Sequence, residues 1–258
     1  MRSLLLALVV TGCSLSPLSA AESAFVFADF LVVPVRIHLL SAKEVPALHT
    51  TLVEADIQRI LGKVNKVWAA AGIHFSLESV QREEAARQDL YDKEVAKTDL
   101  AWVKRHYSEK PRITNAFNVY YIKQFGVNGV YFPEAIFVKD TASLRKVENG
   151  LDEPLPRVTS HELGHALSLP HRQNVTNLMA SGTSGFALSA DEIQRARAAA
   201  GNFRWIKPAG TLFAEAGRHF DQGQKAEALK IYQSLALLPL DSPELTQVRQ
   251  RLKAGAGR

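Results

Sequence analysis

Cysteine is nearly absent from this chain, which has 258 residues and a single cysteine, Cys13. One cysteine cannot form a disulfide within the chain, so a disulfide-stapled scaffold is excluded and a hydrophobic core has to hold the fold. Hydrophobic residues make up 47% of the chain and charged residues 22%, which is close to the average of globular domains. The composition therefore predicts one main domain with a small appendage.

Long apolar runs are missing beyond the N-terminus. A short run over Leu4–Val10 follows a basic residue and is too short to span a bilayer, so residues 1–21 are predicted to be an export signal. Two processing sites stay open: ordinary cleavage after the small residues 19–21, or a bacterial lipoprotein signal that ends before Cys13. Lipidation of Cys13 would anchor the protein to a membrane. Either route predicts a secreted, periplasmic or envelope-anchored protein.

An excess of basic residues is present, with a net charge of +5 and a pI near 9.3. Nucleic-acid binding needs these charges in a stripe interleaved with aromatic residues, and the sequence has no such stripe. We therefore expect a cationic protein without a nucleic-acid partner.

The strongest chemical signal is the run HELGHALSLPH, from His161 to His171. Residues four apart lie on one face of a helix, so His161 and His165 can aim both imidazoles at one point. His171, beyond the helix-ending Pro170, can supply a third nitrogen ligand. Three nitrogen ligands leave one tetrahedral position open, which indicates a catalytic zinc site. Glu162 lies beside the ligand face, where it can serve as the general base.

This run, followed by the segment NLMA around Met179, resembles the metzincin superfamily of zinc peptidases, with a matrixin-like layout. The pattern of that superfamily is HExxHxxGxxH and then a methionine-containing turn. The resemblance implies that His161, His165 and His171 bind Zn²⁺, that Glu162 is the base, and that Met179 lies below the metal. It also implies a peptide substrate and an α+β, metzincin-like zincin fold. That fold has a twisted mixed sheet of about five strands, a long helix and an active-site helix.

One position departs from the pattern: Ser168 stands where the superfamily has glycine. That glycine permits a left-handed backbone at the end of the helix, a conformation that serine tolerates poorly. The sequence therefore predicts a turn of a different shape after the active-site helix.

Residues 22–207 are the predicted peptidase domain. Apolar residues at helical spacing predict a long helix over Thr51–Ala71, capped by Gly72. In the strand Ile73–Val80, alternation places His74 on a polar, solvent-facing side. The other predicted strands are Phe30–Leu40, Phe117–Phe125, Val130–Phe132 and Ala135–Lys139. The resemblance implies that Gly129–Phe132 is an edge strand that pairs with an extended substrate.

The segment 208–258 has a different composition and predicts a helical hairpin, followed by a third helix from Ser242-Pro243. The hairpin resembles a single tetratricopeptide unit. One such unit cannot bury its own apolar face, so we expect it to pack on the peptidase domain or on a protein partner.

The interpretation that these patterns favour is a secreted or envelope-anchored zinc endopeptidase, which hydrolyses peptide bonds with an activated water and a glutamate base. A second interpretation is a gluzincin-like peptidase with Glu192 as the third ligand, although Ser189 and Glu192 also form a helix capping box. A third is a non-catalytic envelope interaction protein, anchored at Cys13, whose zinc site is vestigial.

Overall fold

The computed structural model describes residues 25–106 and 114–256. The predicted export signal, including Cys13, lies outside the described residues. Within the described ranges, no helix has both the length and the apolar character that crossing a bilayer requires.

A mixed β-sheet forms the centre of the fold. In chain order its strands are β1 (Leu31–Ser41), β2 (Ile73–Glu84), β3 (Phe117–Ile122), β4 (Gly129–Phe132), β5 (Ala135–Lys139) and the short β6 (Lys207–Pro208). The main strands are arranged in the order β2-β1-β3-β5-β4, and β6 pairs with the start of β1. Only β4 and β6 run antiparallel to their neighbours. The structure thus has the predicted α+β architecture, with β4 at one edge of the sheet.

Seven helices accompany the sheet in the described ranges: α1 (Glu54–Trp68), α2 (Tyr91–Glu94), α3 (Pro154–Ala166), α4 (Ala190–Ala200), α5 (Ala209–Asp221), α6 (Lys225–Leu235) and α7 (Pro243–Ala256). Helix α1 is the predicted long helix, and its apolar residues recur at spacings of three and four. It ends in a 3₁₀ turn at Gly72, whose φ of 59° is the left-handed conformation predicted for a glycine cap.

One face of the sheet packs against α1 and α3, which together bury the main core. Val33, Val35 and Ile37 of β1 point into this core and are fully buried. From α3, Leu163 and Ala166 pack into the same core. The apolar side of α3 is therefore fixed against the sheet, which leaves its other side free to present the histidines.

The opposite face of the sheet carries two smaller apolar clusters. One includes Leu40, Tyr120 and Trp102, and it brings the segment after β2 against the sheet. The other joins Phe30 and Val32 to apolar residues of α5, α6 and α7. The C-terminal helices thus pack on the start of β1.

Two details of the sequence interpretation are wrong. His74 was expected to face solvent, but its side chain is 1% exposed, since it pairs in register with Val32 on the face that the C-terminal helices cover. Strand β2 also continues four residues beyond the predicted end at Val80, because its parallel pairing with β1 continues to Glu84.

Candidate active site

Helix α3 carries the first two predicted ligands. It begins with Pro154 in its first turn, where a proline loses no hydrogen bond. Gly164, on the inner side of the helix, lies so close to Met179 that a Cβ at this position would stand 2.6 Å from the methionine sulfur. The glycine therefore allows the fully buried Met179 to pack directly against α3.

The helix ends in a Schellman motif. The N–H of Leu169 donates to Gly164 O at 2.9 Å, and the N–H of Ser168 donates to His165 O at 2.9 Å. Ser168 has a φ of 65°, the left-handed conformation that glycine adopts without strain. The prediction of a differently shaped turn is therefore wrong, because the two hydrogen bonds hold serine in a conformation that it disfavours alone.

His161, His165 and His171 bring their imidazoles together on one side of α3. Nε2 of His165 lies 3.2 Å from Nε2 of His161 and 3.1 Å from Nε2 of His171. They are the group within the described ranges that can hold a metal ion. Glu192 does not belong to that group.

Two backbone carbonyls orient the rings of His161 and His165. Nδ1 of His161 lies 2.8 Å from Leu178 O, and Nδ1 of His165 lies 2.8 Å from Leu169 O. A carbonyl can only accept, so each Nδ1 carries the proton and donates it. Each Nε2 then bears a lone pair that faces the other rings. The Schellman turn and the segment before Met179 thus fix the tautomers of His165 and His161.

The donor set fits zinc. Lone pairs at about 3 Å from one another repel unless a proton or a cation lies between them. His161 and His165 carry their protons on Nδ1, so no proton lies between their two Nε2 atoms. Tetrahedral zinc with Zn–N distances of about 2.0–2.1 Å needs its nitrogens about 3.3–3.4 Å apart. The observed Nε2 separations of 3.1 and 3.2 Å are close to this value.

Burial keeps the first two imidazoles neutral. It lowers the pKa of His161 to about 3, and the nearby Arg157 guanidinium acts in the same direction. Burial also lowers the pKa of His165. Protons therefore compete weakly with a metal ion for these two nitrogens at neutral pH.

Glu162 is buried next to this cluster, with 5% of its surface exposed. Burial raises its pKa to about 8, while the charge of Arg157 acts in the opposite direction. A Cβ on Gly129 of β4 would lie 2.6 Å from Glu162 Oε1, so the edge strand passes directly over the carboxylate. No described residue donates a hydrogen bond to Glu162, which leaves its oxygens available to a molecule bound in the cavity.

A cavity of about 680 Å³ opens at this point between α3, the edge strand β4 and the loop after Met179. The three histidines and Glu162 line it, together with Arg157, Val158, Gly129, Tyr131, Ser181 and Gly182. The cavity therefore gives access to the imidazole cluster and the carboxylate from the side of the edge strand.

Glu192 has a structural place instead of a ligand position. Its Oε2 accepts from the N–H of Ser189 at 2.9 Å and from Asn177 Nδ2 at 2.7 Å, and its Oε1 accepts from Arg172 Nε at 3.0 Å. Arg172 directly follows His171. The gluzincin-like alternative does not fit this arrangement, because both oxygens of Glu192 are already bonded.

Two features of the site were missed at the sequence level. Arg157 is 1% exposed and lies in the cavity wall, one helical turn before His161. Gly129 was recognised only as part of a strand, although its lack of a side chain makes room for Glu162. The spacing of four residues between Arg157 and His161 could have indicated that Arg157 lies at the site. The close approach of Gly129 to Glu162 has no such signal, because it depends on how β4 crosses α3.

No protein-family model matches the chain, nor does any curated protein. Among solved structures, it is similar to metalloproteinase-II from Bacteroides fragilis, at 14% identity and a TM-score of 0.36, over 66% of this chain and 53% of that one. The chain thus spans about half the length of that protein. It is also similar to a zinc-dependent peptidase from Methanocorpusculum labreanum (strain Z), at 14% identity and a TM-score of 0.30, over 63% of this chain and 98% of that one.

Proposed function

We propose that this chain is a zinc-dependent endopeptidase. The observation that carries the proposal is the convergence of three imidazoles, two of them tethered at Nδ1, next to a buried glutamate, at the wall of a cavity that a peptide can enter. A structural zinc site has four protein ligands and is closed, whereas the described residues supply three.

His161, His165 and His171 would hold the metal, and Glu162 would be the general base. A bound zinc ion supplies a Lewis acid that activates water and polarises a peptide carbonyl. The Glu162 carboxylate takes a proton from the attacking water and passes it to the leaving amine as the peptide bond breaks. Its buried position in the cavity wall suits this exchange, because no described residue donates a hydrogen bond to its oxygens.

Within the zinc peptidases, we assign the chain to the metzincin type. The spacing of the three histidines, the left-handed turn at Ser168 and the buried Met179 under α3 support this assignment. The N–H of Met179 donates to Asn177 Oδ1 at 2.6 Å, which gives the methionine-containing turn its shape.

Strand β4 is the proposed binding edge for the substrate backbone. Its residues are partly exposed, and it pairs on one side only, antiparallel to β5. An extended peptide can add to such an edge by β-augmentation, which would lay its backbone over Glu162.

The cellular setting is likewise a proposal. The N-terminal sequence supports export, followed by secretion, periplasmic retention or anchoring through lipidated Cys13. Helices α5, α6 and α7 pack on the start of β1, and a protein partner for these helices is part of the same proposal.

Substitution of Glu162 tests the proposal. Glu162→Gln keeps the shape of the side chain but removes the base, so we expect unchanged zinc content and a loss of peptide hydrolysis by orders of magnitude. Zinc content is measured by mass spectrometry. Peptide hydrolysis is measured with a proteome-derived peptide library, and a chelator serves as the control. Glu148→Gln, at an exposed position before α3, is the matched control and should stay active.

Two results would count against the proposal. Full activity of Glu162→Gln would remove this residue from the mechanism. Wild-type protein that binds zinc yet cleaves no peptide would favour the interaction protein with a vestigial site.

A further inference from the structure

Arg157 lies on the ligand side of α3, one turn before His161. Four residues along a helix correspond to about 6 Å, so the guanidinium stands roughly one side-chain length from the reacting centre. The residue is 1% exposed and lines the same cavity as the histidines and Glu162.

The guanidinium uses only part of its hydrogen-bonding capacity. Nε donates to Gly185 O at 2.9 Å, and Nη2 donates to the carbonyl oxygens of Asn177 and Ala180. Nη1 donates to no described residue, yet it is not fully enclosed by the protein. Because Arg157 lines the cavity, we take Nη1 to be the atom that faces it.

The charge of Arg157 also lacks a paired anion. Its three acceptors are neutral carbonyls, and in the described ranges it forms no ion pair. The carboxylate that acts on it is Glu162, which is needed for the reaction. A buried cation without a bonded anion favours the binding of a negative group beside it.

We propose that Arg157 selects substrates that place a carboxylate next to the cleaved bond, through a charge-assisted hydrogen bond from Nη1. The carboxylate is either an Asp or Glu side chain or the C-terminal carboxylate of the substrate. This inference rests on the proposed peptidase function, and it gives that function a substrate class.

Matched peptides test the preference in the wild-type, zinc-loaded protein. One pair differs only by Glu or Gln at a residue flanking the cleaved bond, and a second pair ends there in a free carboxylate or an amide. We expect kcat/KM to be on the order of tenfold to a hundredfold higher for the charged member of one pair. Which pair shows the ratio identifies the source of the carboxylate.

Substitutions then assign the ratio to Arg157. Arg157→Met should bring the charged-to-neutral ratio to about one, and Arg157→Lys should keep part of it, because lysine retains the charge but not the fork. Arg145→Met is the matched control: Arg145 is exposed, yet its backbone pairs with the same loop at Thr183. It should keep the wild-type ratio.

The ratio separates selection from support of the loop. If Arg157 only tethers the loop, Arg157→Met lowers kcat/KM equally for the charged and the neutral peptide. The charged-to-neutral ratio then stays at its wild-type value, which overturns the inference. A wild-type ratio of one or less for both pairs also overturns it while the peptidase function stands. Cleavage of no peptide at all refutes the peptidase function, and the inference falls with it.

Discussion

Ser168 illustrates how much local geometry a single residue can hold. Its left-handed backbone closes the Schellman motif, and that turn places Leu169 O where it orients the His165 ring. A residue with a Cβ pays about 1–2 kcal/mol for this conformation, whereas glycine adopts it freely.

Ser168→Gly should therefore stabilise the fold. We expect the free energy of unfolding, measured by urea denaturation, to rise by about 1 kcal/mol, with unchanged zinc binding. Ser168→Ala is the control and should bring no gain, because alanine has the same Cβ. A lower free energy of unfolding for Ser168→Gly than for the wild type would show that the turn at Ser168 is not strained.

Gly129 carries the second prediction at the residue scale. A methyl group here would stand 2.6 Å from Glu162 Oε1 and 2.7 Å from Val158 Cγ1. Gly129→Ala should therefore displace the Glu162 carboxylate and lower kcat/KM by about tenfold or more, with zinc retained. Gly126→Ala, whose nearest neighbour would lie 3.7 Å away, should leave the activity unchanged. Equal activity of both variants would show that β4 does not hold Glu162 in place.

At the residue scale, spacing predicted the imidazole cluster, because four residues apart on a helix is a local relation. The contacts of Arg157 and Gly129 depend on a loop and a strand that are distant in the chain. No local pattern encodes such contacts, because they form only when the strand and the loop pack against α3.

At the scale of elements, the loop between α3 and α4 is tied to the rest of the site through Glu192. This carboxylate holds Ser189, Asn177 and Arg172 together, and Arg172 follows the third histidine directly. The capping box recognised in the sequence is thus also a support for the position of His171.

Glu192→Ala should loosen this support without removing a ligand. We expect zinc affinity to fall by about tenfold, as for residues that orient a ligand, whereas His171→Ala should cause a larger loss. Competition with a chromogenic chelator measures both. A loss for Glu192→Ala that equals or exceeds that for His171→Ala would favour Glu192 as the ligand.

Most strand and helix positions followed from periodicity and turn residues. Strands β4 and β5 agree with the sequence prediction, since glycine and proline delimit them. The end of β2 was predicted too early, because its last residues are charged and only the pairing with β1 keeps them extended.

At the scale of the whole molecule, the C-terminal helices bury part of one face of the sheet, at the start of β1. The sequence predicted three helices but not the surface that they cover, since an apolar helix face does not specify its partner. His74 lies on that covered face, and neither of its ring nitrogens has a hydrogen-bond partner within the described ranges.

His74 makes stability depend on pH. Burial lowers its pKa from 6.5 to about 4, so the unfolded chain binds a proton before the folded one as the pH falls. The neutral ring therefore contributes fully to the free energy of unfolding above about pH 6.5. This contribution, about 3 kcal/mol at most, is lost as the pH falls from about 6.5 to about 4. His74→Leu should lack this component of the pH dependence. If the free energy of unfolding depends on pH in the same way in wild type and variant, the ring is not buried.

The arrangement on which the proposed function depends is one zinc ion held by three imidazoles beside a glutamate. Anomalous diffraction at the zinc edge, from crystals of the purified protein, tests it most directly. We predict a single peak at about 2.1 Å from Nε2 of His161, His165 and His171, within reach of the Glu162 carboxylate. No peak at this position, or a peak bonded to Glu192 instead of His171, would contradict this arrangement.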